Sequence, residues 1–257
     1  MEYFLIAIVS FFSSVLTLFS GFGINTLLVP AFAVFFPIKY AIVLTSIVHF
    51  ISNIFKLTIF GKYLDKKVVL NFGIPAMLFA LLGAISLEII SKLTPPITYK
   101  LFNNEFSITP IKLTISLPMI IFALFDLIPR LQKISFEKKY LPIGGMLSGF
   151  IGGLSGHQGG LRSAFLIKCN LSKESFIGTG VVIATLVDAS RLFIYKDFFK
   201  KDLIDQNLRL LIFAVGSAML GIIVGNFLLR KITINTIQTI VGIMVIGTAI
   251  SIGLGLI

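Results

Sequence analysis

The chain contains a single cysteine, Cys169, so it can close no disulfide within itself and hold no multi-cysteine metal site. It is also short of charge: Asp, Glu, Lys and Arg together make 13% of the 257 residues, about half the share expected of a soluble domain. Acidic residues are the scarcer kind, 11 against 22 Lys and Arg. Histidine occurs only at His49 and His157, in separate halves of the chain. No HExxH, GxSxG, P-loop or cysteine cluster is present, so the sequence gives no reason to expect an enzyme, a metal or a cofactor. GFGINT at 21–26 is not a dinucleotide fingerprint, because no strand–helix–strand context surrounds it. A filter-like repeat or ring-forming acidic motif of the channel kind is missing as well.

What fills the chain instead is apolar. Hydrophobic residues make 56% of it and the mean hydropathy is +1.01. A soluble core does not need that much apolar surface, whereas membrane spans need an apolar exterior as well as an apolar core. The sequence therefore predicts an all-α polytopic membrane protein with 8–10 membrane segments. Apolar runs lie at about 3–19, 41–60, 69–91, 113–128, 141–155, 176–195, 207–229 and 236–256. Short basic loops separate them, at Lys62, Lys66 and Lys67, at Arg130, Lys133, Lys138 and Lys139, at Lys196, Lys200 and Lys201, and at Arg230 and Lys231. A net charge of +11 would suggest nucleic acid on a soluble protein, but in such loops it is the positive-inside pattern, and nucleic acid is not expected. MEYFLIAIVSFFSSVLTL lacks a basic start and a small-residue cleavage site, and reads as a first span rather than a signal peptide. The polar stretch 92–112 reads as an extramembrane excursion.

Two apolar segments are too short or too broken to be ordinary spans: 20–37, SGFGINTLLVPAFAVFFP, and 155–172, SGHQGGLRSAFLIKCNLS. Each opens on glycine between two long runs, where glycine and proline interrupt the helix. An offset of 135 residues sets Ser20-Gly21 on Ser155-Gly156, Asn53 on Asp188, Lys56 on Arg191 and Phe60 on Tyr195. The chain therefore divides into an N-terminal repeat, 1–140, and a C-terminal repeat, 141–257, forming one transport domain. Matched interrupted segments in two halves point to a transporter's binding site. Re-entrant segments would leave four crossings per half and parallel repeats; crossing segments would give five and inverted repeats. Basic residues after 60, 128 and 229 favour inverted repeats with the N-terminus outside.

These motifs resemble the sulfite exporter TauE/SafE family of permeases. GFGINTLLVP at 21–30 followed by Ala41 and Thr45-Ser46 is similar to that family's first glycine-rich signature. SGFIGGLSGHQGGLRSAFLIK at 148–168 and FIGTGVVIATLVDASRLFIY at 176–195 resemble the second and the helix after it. Ile24 and Asn25 stand where further glycines are common in the family. The resemblance implies a multi-pass permease of the cell membrane that moves sulfite or a small organosulfonate. Its partners would be that anion and the lipid bilayer, with a homodimer left open. An anion channel is the alternative, and an intramembrane enzyme the third reading.

The candidate ligands follow from the two halves. Asp188 and Arg191 share a helix face at i,i+3, as an anion site or as a structural ion pair. Arg162, beside Gly159 and Gly160, offers a planar fork for a sulfonate, or an interfacial cation. His157 and Gln158 interrupt the glycine run; His157 is a proton-coupling candidate or a satisfied polar residue. Thr45, Ser46, His49 and Asn53 form a polar stripe that lines a pore or bonds neighbouring helices. Asn25 is a ligand or a cap on the short helix after it, with Thr26 beside it, and Thr179, with Thr185 and Ser190, is the weaker counterpart in the second half. Glu88 and Asp126, near run ends, read as interfacial.

Overall fold

The computed structural model describes residues 2–20, 23–93, 96–101, 104–132, 135–195, 201–228 and 234–257. Its helices, in chain order, are α1 (Glu2–Ser20), α2 (Asn25–Ala33), α3 (Ile38–Phe60), α4 (Lys66–Val68), α5 (Ile74–Ile90), α6 (Pro110–Leu127), α7 (Pro129–Gln132), α8 (Leu141–Ser155), α9 (Gly159–Leu166), α10 (Lys173–Ile194), α11 (Lys201–Leu228) and α12 (Ile234–Gly253). A π-helical turn at Val69–Gly73 carries α4 into α5, so 66–90 is one continuous rod. Among the described residues, four rods are long and apolar enough to cross a membrane: Ile38–Tyr63, Lys66–Ile90, Lys173–Ile194 and Leu203–Leu228. Apolar stretches of α1, α6 and α12 are shorter. Leu78, Leu82, Ile85 and Ile89 are exposed along α5, as a lipid-facing side requires. The chain is an all-α membrane protein, as its composition predicts.

Local chemistry sets the ends of these helices. Thr109 accepts a hydrogen bond from Lys112 N–H and Pro110 opens α6, while Ser172 accepts one from Ser175 N–H to open α10. α8 stops at Gly156, whose φ of 78° closes its last turn in the left-handed conformation. The predicted second break is therefore observed. The first falls between α1 and α2, partly on residues 21–22, which lie outside the described residues.

Small residues set the packing. A Cβ on Gly145, Gly149 or Gly153 would lie 2.2, 2.1 and 2.2 Å from the carbonyl oxygens of Phe72, Ala76 and Ala80. Only glycine allows so close an approach of two helices, and the four-residue spacing keeps all three contacts on one face. Both number series rise together, so α8 runs parallel to the 66–90 rod. α11 runs parallel to α1, with Gly221 on the Phe11 carbonyl and Gly225 on Val15 and Leu18. α12 runs antiparallel to α6, with Gly242 against Leu127 and Gly253 against Ser116. α9 folds back beside α8, because the Phe165 ring lies on Gly144. The tip of that hairpin sits deep in the helix packing.

The excursion at 92–112 contains a feature the sequence reading did not foresee. Ile97–Leu101 (β1) and Asn104–Ile108 (β2) pair antiparallel, with Tyr99 opposite Phe106. Tyr99 Oη donates to the Leu254 carbonyl at 2.7 Å, which fastens the ribbon to the end of α12. The alternating strand pattern of so short a hairpin is masked by the apolar sequence around it. Glu88 pairs with Lys92 at 2.9 Å near the end of α5, while the side chain of Asp126 lies outside the described residues.

Candidate functional site

α3 and α10 lie side by side and run in opposite directions: Asn53 meets Asp188, and Gly178 packs on the Phe60 carbonyl. On the side of α3 facing α10, His49, Asn53 and Lys56 recur at i, i+4 and i+7, one face of the helix. Asp188 answers them from α10. Its Oδ2 accepts from Asn53 Nδ2 at 2.9 Å and lies 2.6 Å from His49 Nδ1. Its Oδ1 lies 2.9 Å from Arg191 Nη2. That contact is close in distance but poorly aligned, and none of the three Arg191 nitrogens has a well-directed hydrogen-bond acceptor. Arg191 and Asp188 are both buried and their contact lies within α10, while the contacts of Asp188 with His49 and Asn53 tie α10 to α3.

The two helix breaks meet beside this network. Asn25, the first residue of α2, reaches both His49 Nδ1 and the Gly156 carbonyl, each at 3.4 Å. A Cβ on Gly156 would fall 2.4 Å from Arg191 Nη1 and 2.8 Å from Asn25 Nδ2, so the bare turn is what lets these groups gather. Gly23 likewise leaves room for the His49 ring, 3.1 Å from where its Cβ would stand. His157 Nδ1 lies 2.8 Å from the Ser155 carbonyl. His157, Gly159 and Gly160 line a small apolar cavity with Thr26 and Met119.

A larger cavity of about 440 Å³, counting its open mouth, lies between α1, α3, α9 and α10. Its polar wall is Thr17, His49, Asn53, Lys56 and Arg162, and its apolar wall includes Leu18, Phe176 and Ile177. Lys56 is 4% exposed and Arg162 7% exposed. Among the described residues no carboxylate lies within ion-pair distance of Lys56. Among the described residues, Lys56, Arg162 and Arg191 place three buried cations around one buried carboxylate, Asp188, so their summed charge is positive. Two cations on one wall of a cavity, with polar side chains beside them, can hold a small anion by charge-assisted hydrogen bonds.

The sequence-predicted ligands divide accordingly. Arg162, His49 and Asn53 face this cavity; Asp188, Arg191 and Asn25 stand behind it and fix His49 and Asn53. Thr26, His157, Gly159 and Gly160 gather at the second, smaller cavity. Gln158 is buried with no hydrogen-bond partner at its amide. Thr45 is buried and its hydroxyl has no partner, while Ser46 donates to the Ile42 carbonyl within its own helix. Thr179 is engaged elsewhere: its Oγ1 accepts from Asp65 N–H at 2.8 Å and ties α10 to the loop after α3. Sequence reasoning missed Lys56 as a site residue, although its i+7 spacing from His49 and i+3 spacing from Asn53 place it on their face. A lone lysine near the end of an apolar run reads as interfacial until the neighbouring helices bury it.

Compared with known proteins, residues 6–252 match the family model described as Sulfite exporter TauE/SafE. No curated protein and no solved structure matches the chain.

Proposed function

The chain belongs to the sulfite exporter TauE/SafE family of membrane transporters, and from that premise we propose that it is a secondary transporter of sulfite or a small organosulfonate in the cell membrane. The single observation that carries this reading is the convergence of Lys56 and Arg162 on one cavity deep among apolar helices. A buried cation is costly, roughly 2.5–3.5 kcal/mol at the centre of a span, and two on one wall are worth keeping where an anion comes to neutralise them. Arg162 presents a planar fork that suits two oxygens of a sulfur oxyanion, and Lys56 adds a point charge. His49 and Asn53, held by Asp188, present fixed polar groups to the same volume.

The repeat supports the same reading. Asn53 and Asp188, which the 135-residue offset superimposes, hydrogen-bond to each other, as equivalent positions near a two-fold axis would. The tips of the two broken segments meet through Asn25 and Gly156. If α1–α2 and α8–α9 are both hairpins entered from opposite faces, each half keeps three crossings. That count is odd, so the repeats are inverted even with re-entrant segments. Alternating exposure of the cavity then follows from one half rocking on the other.

The test is sulfite and methanesulfonate binding to purified, monodisperse protein, followed by counterflow in proteoliposomes. Arg162→Ala and Lys56→Gln should each weaken binding about ten- to a hundred-fold, the loss of one charge-assisted hydrogen bond, and Arg162→Lys should recover only part of it. Accelerated exchange from preloaded vesicles marks a transporter; its absence with intact flux marks a channel. Unchanged affinity in both variants overturns the assignment of the cavity.

A further inference from the structure

Two clefts on opposite faces of the molecule are built from matching positions. The first lies where α3 ends, α10 begins and α11 ends, and its walls include Phe60, Lys62, Lys173, Glu174, Ile177 and Asn226. The second lies where α3 begins, α10 ends and α5 ends, with Lys39, Ile42, Leu87, Ser91 and Tyr195 in its walls. The offset of 135 residues carries Lys39 onto Glu174, Ile42 onto Ile177, Phe60 onto Tyr195 and Ser91 onto Asn226. Each of these pairs therefore has one member in each cleft. Because α3 and α10 run in opposite directions, the two sets fall on opposite faces.

The clefts differ in size and in what lies beside them. The first has about 1160 Å³, counting its open mouth, and the second about 210 Å³ on the same measure. The first adjoins the cation-lined cavity: Ile177 stands in the wall of both. Leu18 of the cavity wall also packs on Gly225, next to Asn226. Among the described residues, the second cleft shares no wall residue with that cavity. Along α3 and α10 the stretch between them holds Ser46, Asp188 and Arg191, all buried.

We propose that the two clefts are the two mouths of the anion's path, open at Lys62 and Lys173 and shut at Lys39 and Ser91 in this structure, with Ile177 and Ile42 as their gates. This rests on the anion reading of the cavity. Two matched halves that exchange conformations open equivalent clefts in turn, because each half takes up the arrangement the other had. At the open mouth Lys62 and Lys173 outnumber Glu174, so it draws small anions toward Lys56 and Arg162. Ile177 offers no polar group where mouth and cavity adjoin, so it can change rotamer without losing a hydrogen bond.

The experiment removes the native thiol with Cys169→Ser and adds either Ile177→Cys or Ile42→Cys. Each is treated in sealed vesicles of known orientation with maleimidopropanoate, a small anionic maleimide, from one side at a time. Ile177→Cys should react at least about ten-fold faster from the Lys62 side than from the other, and Ile42→Cys the reverse. Either adduct should cut sulfite uptake about ten-fold relative to the same variant before labelling, since each mouth is used once in every cycle. Adding Lys62→Gln/Lys173→Gln should slow the labelling of Ile177→Cys about three-fold at low salt, and not at high salt or with a neutral maleimide. Labelling of both thiols from one side overturns the proposal. So does an Ile42→Cys thiol that reacts from neither side, or uptake that is unchanged once it is fully modified. The two failures are distinct: labelling on the wrong side overturns the mouths whatever the cavity binds, and absence of sulfite binding in the wild type overturns the anion reading whatever the labelling gives.

Discussion

At Gly156 the backbone turns with φ 78°, and the space a side chain would need is taken by Arg191 Nη1 and Asn25 Nδ2. Gly156→Ala therefore meets both a strained dihedral and a clash, at a cost of about 1–3 kcal/mol for the dihedral alone. Thermal unfolding in detergent should show a drop of several degrees, together with weaker sulfite binding; an unchanged melting curve would mean the turn relaxes freely. Asp188 is the more severe case. It is the one carboxylate facing His49 and Arg191 among the described residues, so Asp188→Asn leaves Arg191 buried without its counter-charge. Breaking a buried pair by removing one partner costs about 3–5 kcal/mol. Asp188→Asn/Arg191→Gln should recover part of that loss in a denaturation series. If the double variant is no better than the single, the charge of Arg191 is not what makes the loss of Asp188 costly.

The helix pairs make predictions that no single side chain makes. Gly149 sits where a Cβ would be 2.1 Å from the Ala76 carbonyl, a backbone atom that cannot rotate away. Gly149→Val must push α8 off the 66–90 rod and displace the Gly156 turn at its end. The yield of folded, monodisperse protein should fall sharply, as measured by size-exclusion chromatography. Gly247 provides the control, because nothing lies within 4 Å of its Cβ position; Gly247→Ala should leave stability unchanged or raise it by up to about 1 kcal/mol. Equal losses in the two variants would show that the close approach of α8 to the 66–90 rod is not what makes Gly149 costly to replace. The β1–β2 ribbon belongs to the same scale: Tyr99→Phe removes one neutral hydrogen bond to Leu254 and should cost about 0.5–1.5 kcal/mol in the same denaturation assay.

For the molecule as a whole, the parallel and antiparallel contacts place the loop after α3 and the start of α8 on one face, and the β1–β2 ribbon with the end of α12 on the other. The first face carries Lys62, Lys66, Lys67, Lys138 and Lys139, so positive-inside bias predicts that it faces the cytoplasm. With the one native thiol removed by Cys169→Ser, a cysteine at Lys67 and another at Lys100 should react with a membrane-impermeant maleimide from opposite sides of sealed vesicles. Both positions are exposed, so access is not limiting. Labelling of both from the same side would contradict the helix directions read from the glycine contacts.

Hydrophobicity determined the membrane class without any structure, because 56% apolar residues broken by short basic loops have no other stable solvent. The second break was equally legible, since glycine closes a helix at positive φ more readily than any other residue and Gly156 stands at that point. Arg162, His49 and Asn53 could be named as candidates from charge and spacing alone. The sequence could not show that α9 turns back beside α8, because that depends on Gly144 receiving the Phe165 ring across the hairpin. Nor could it separate Arg162, which faces the cavity, from Arg191, which Asp188 and the Gly156 turn enclose. Both are arginines beside glycine or a carboxylate in apolar surroundings, and their neighbours in the chain are much alike. Lys56 lines the cavity and Thr179 meets Asp65 for one reason: the packing of α3 against α10 decides which side of each helix meets the cavity and which meets a loop. Periodicity gives the face of a helix, but the partner that face meets is fixed only when the other helices close around it.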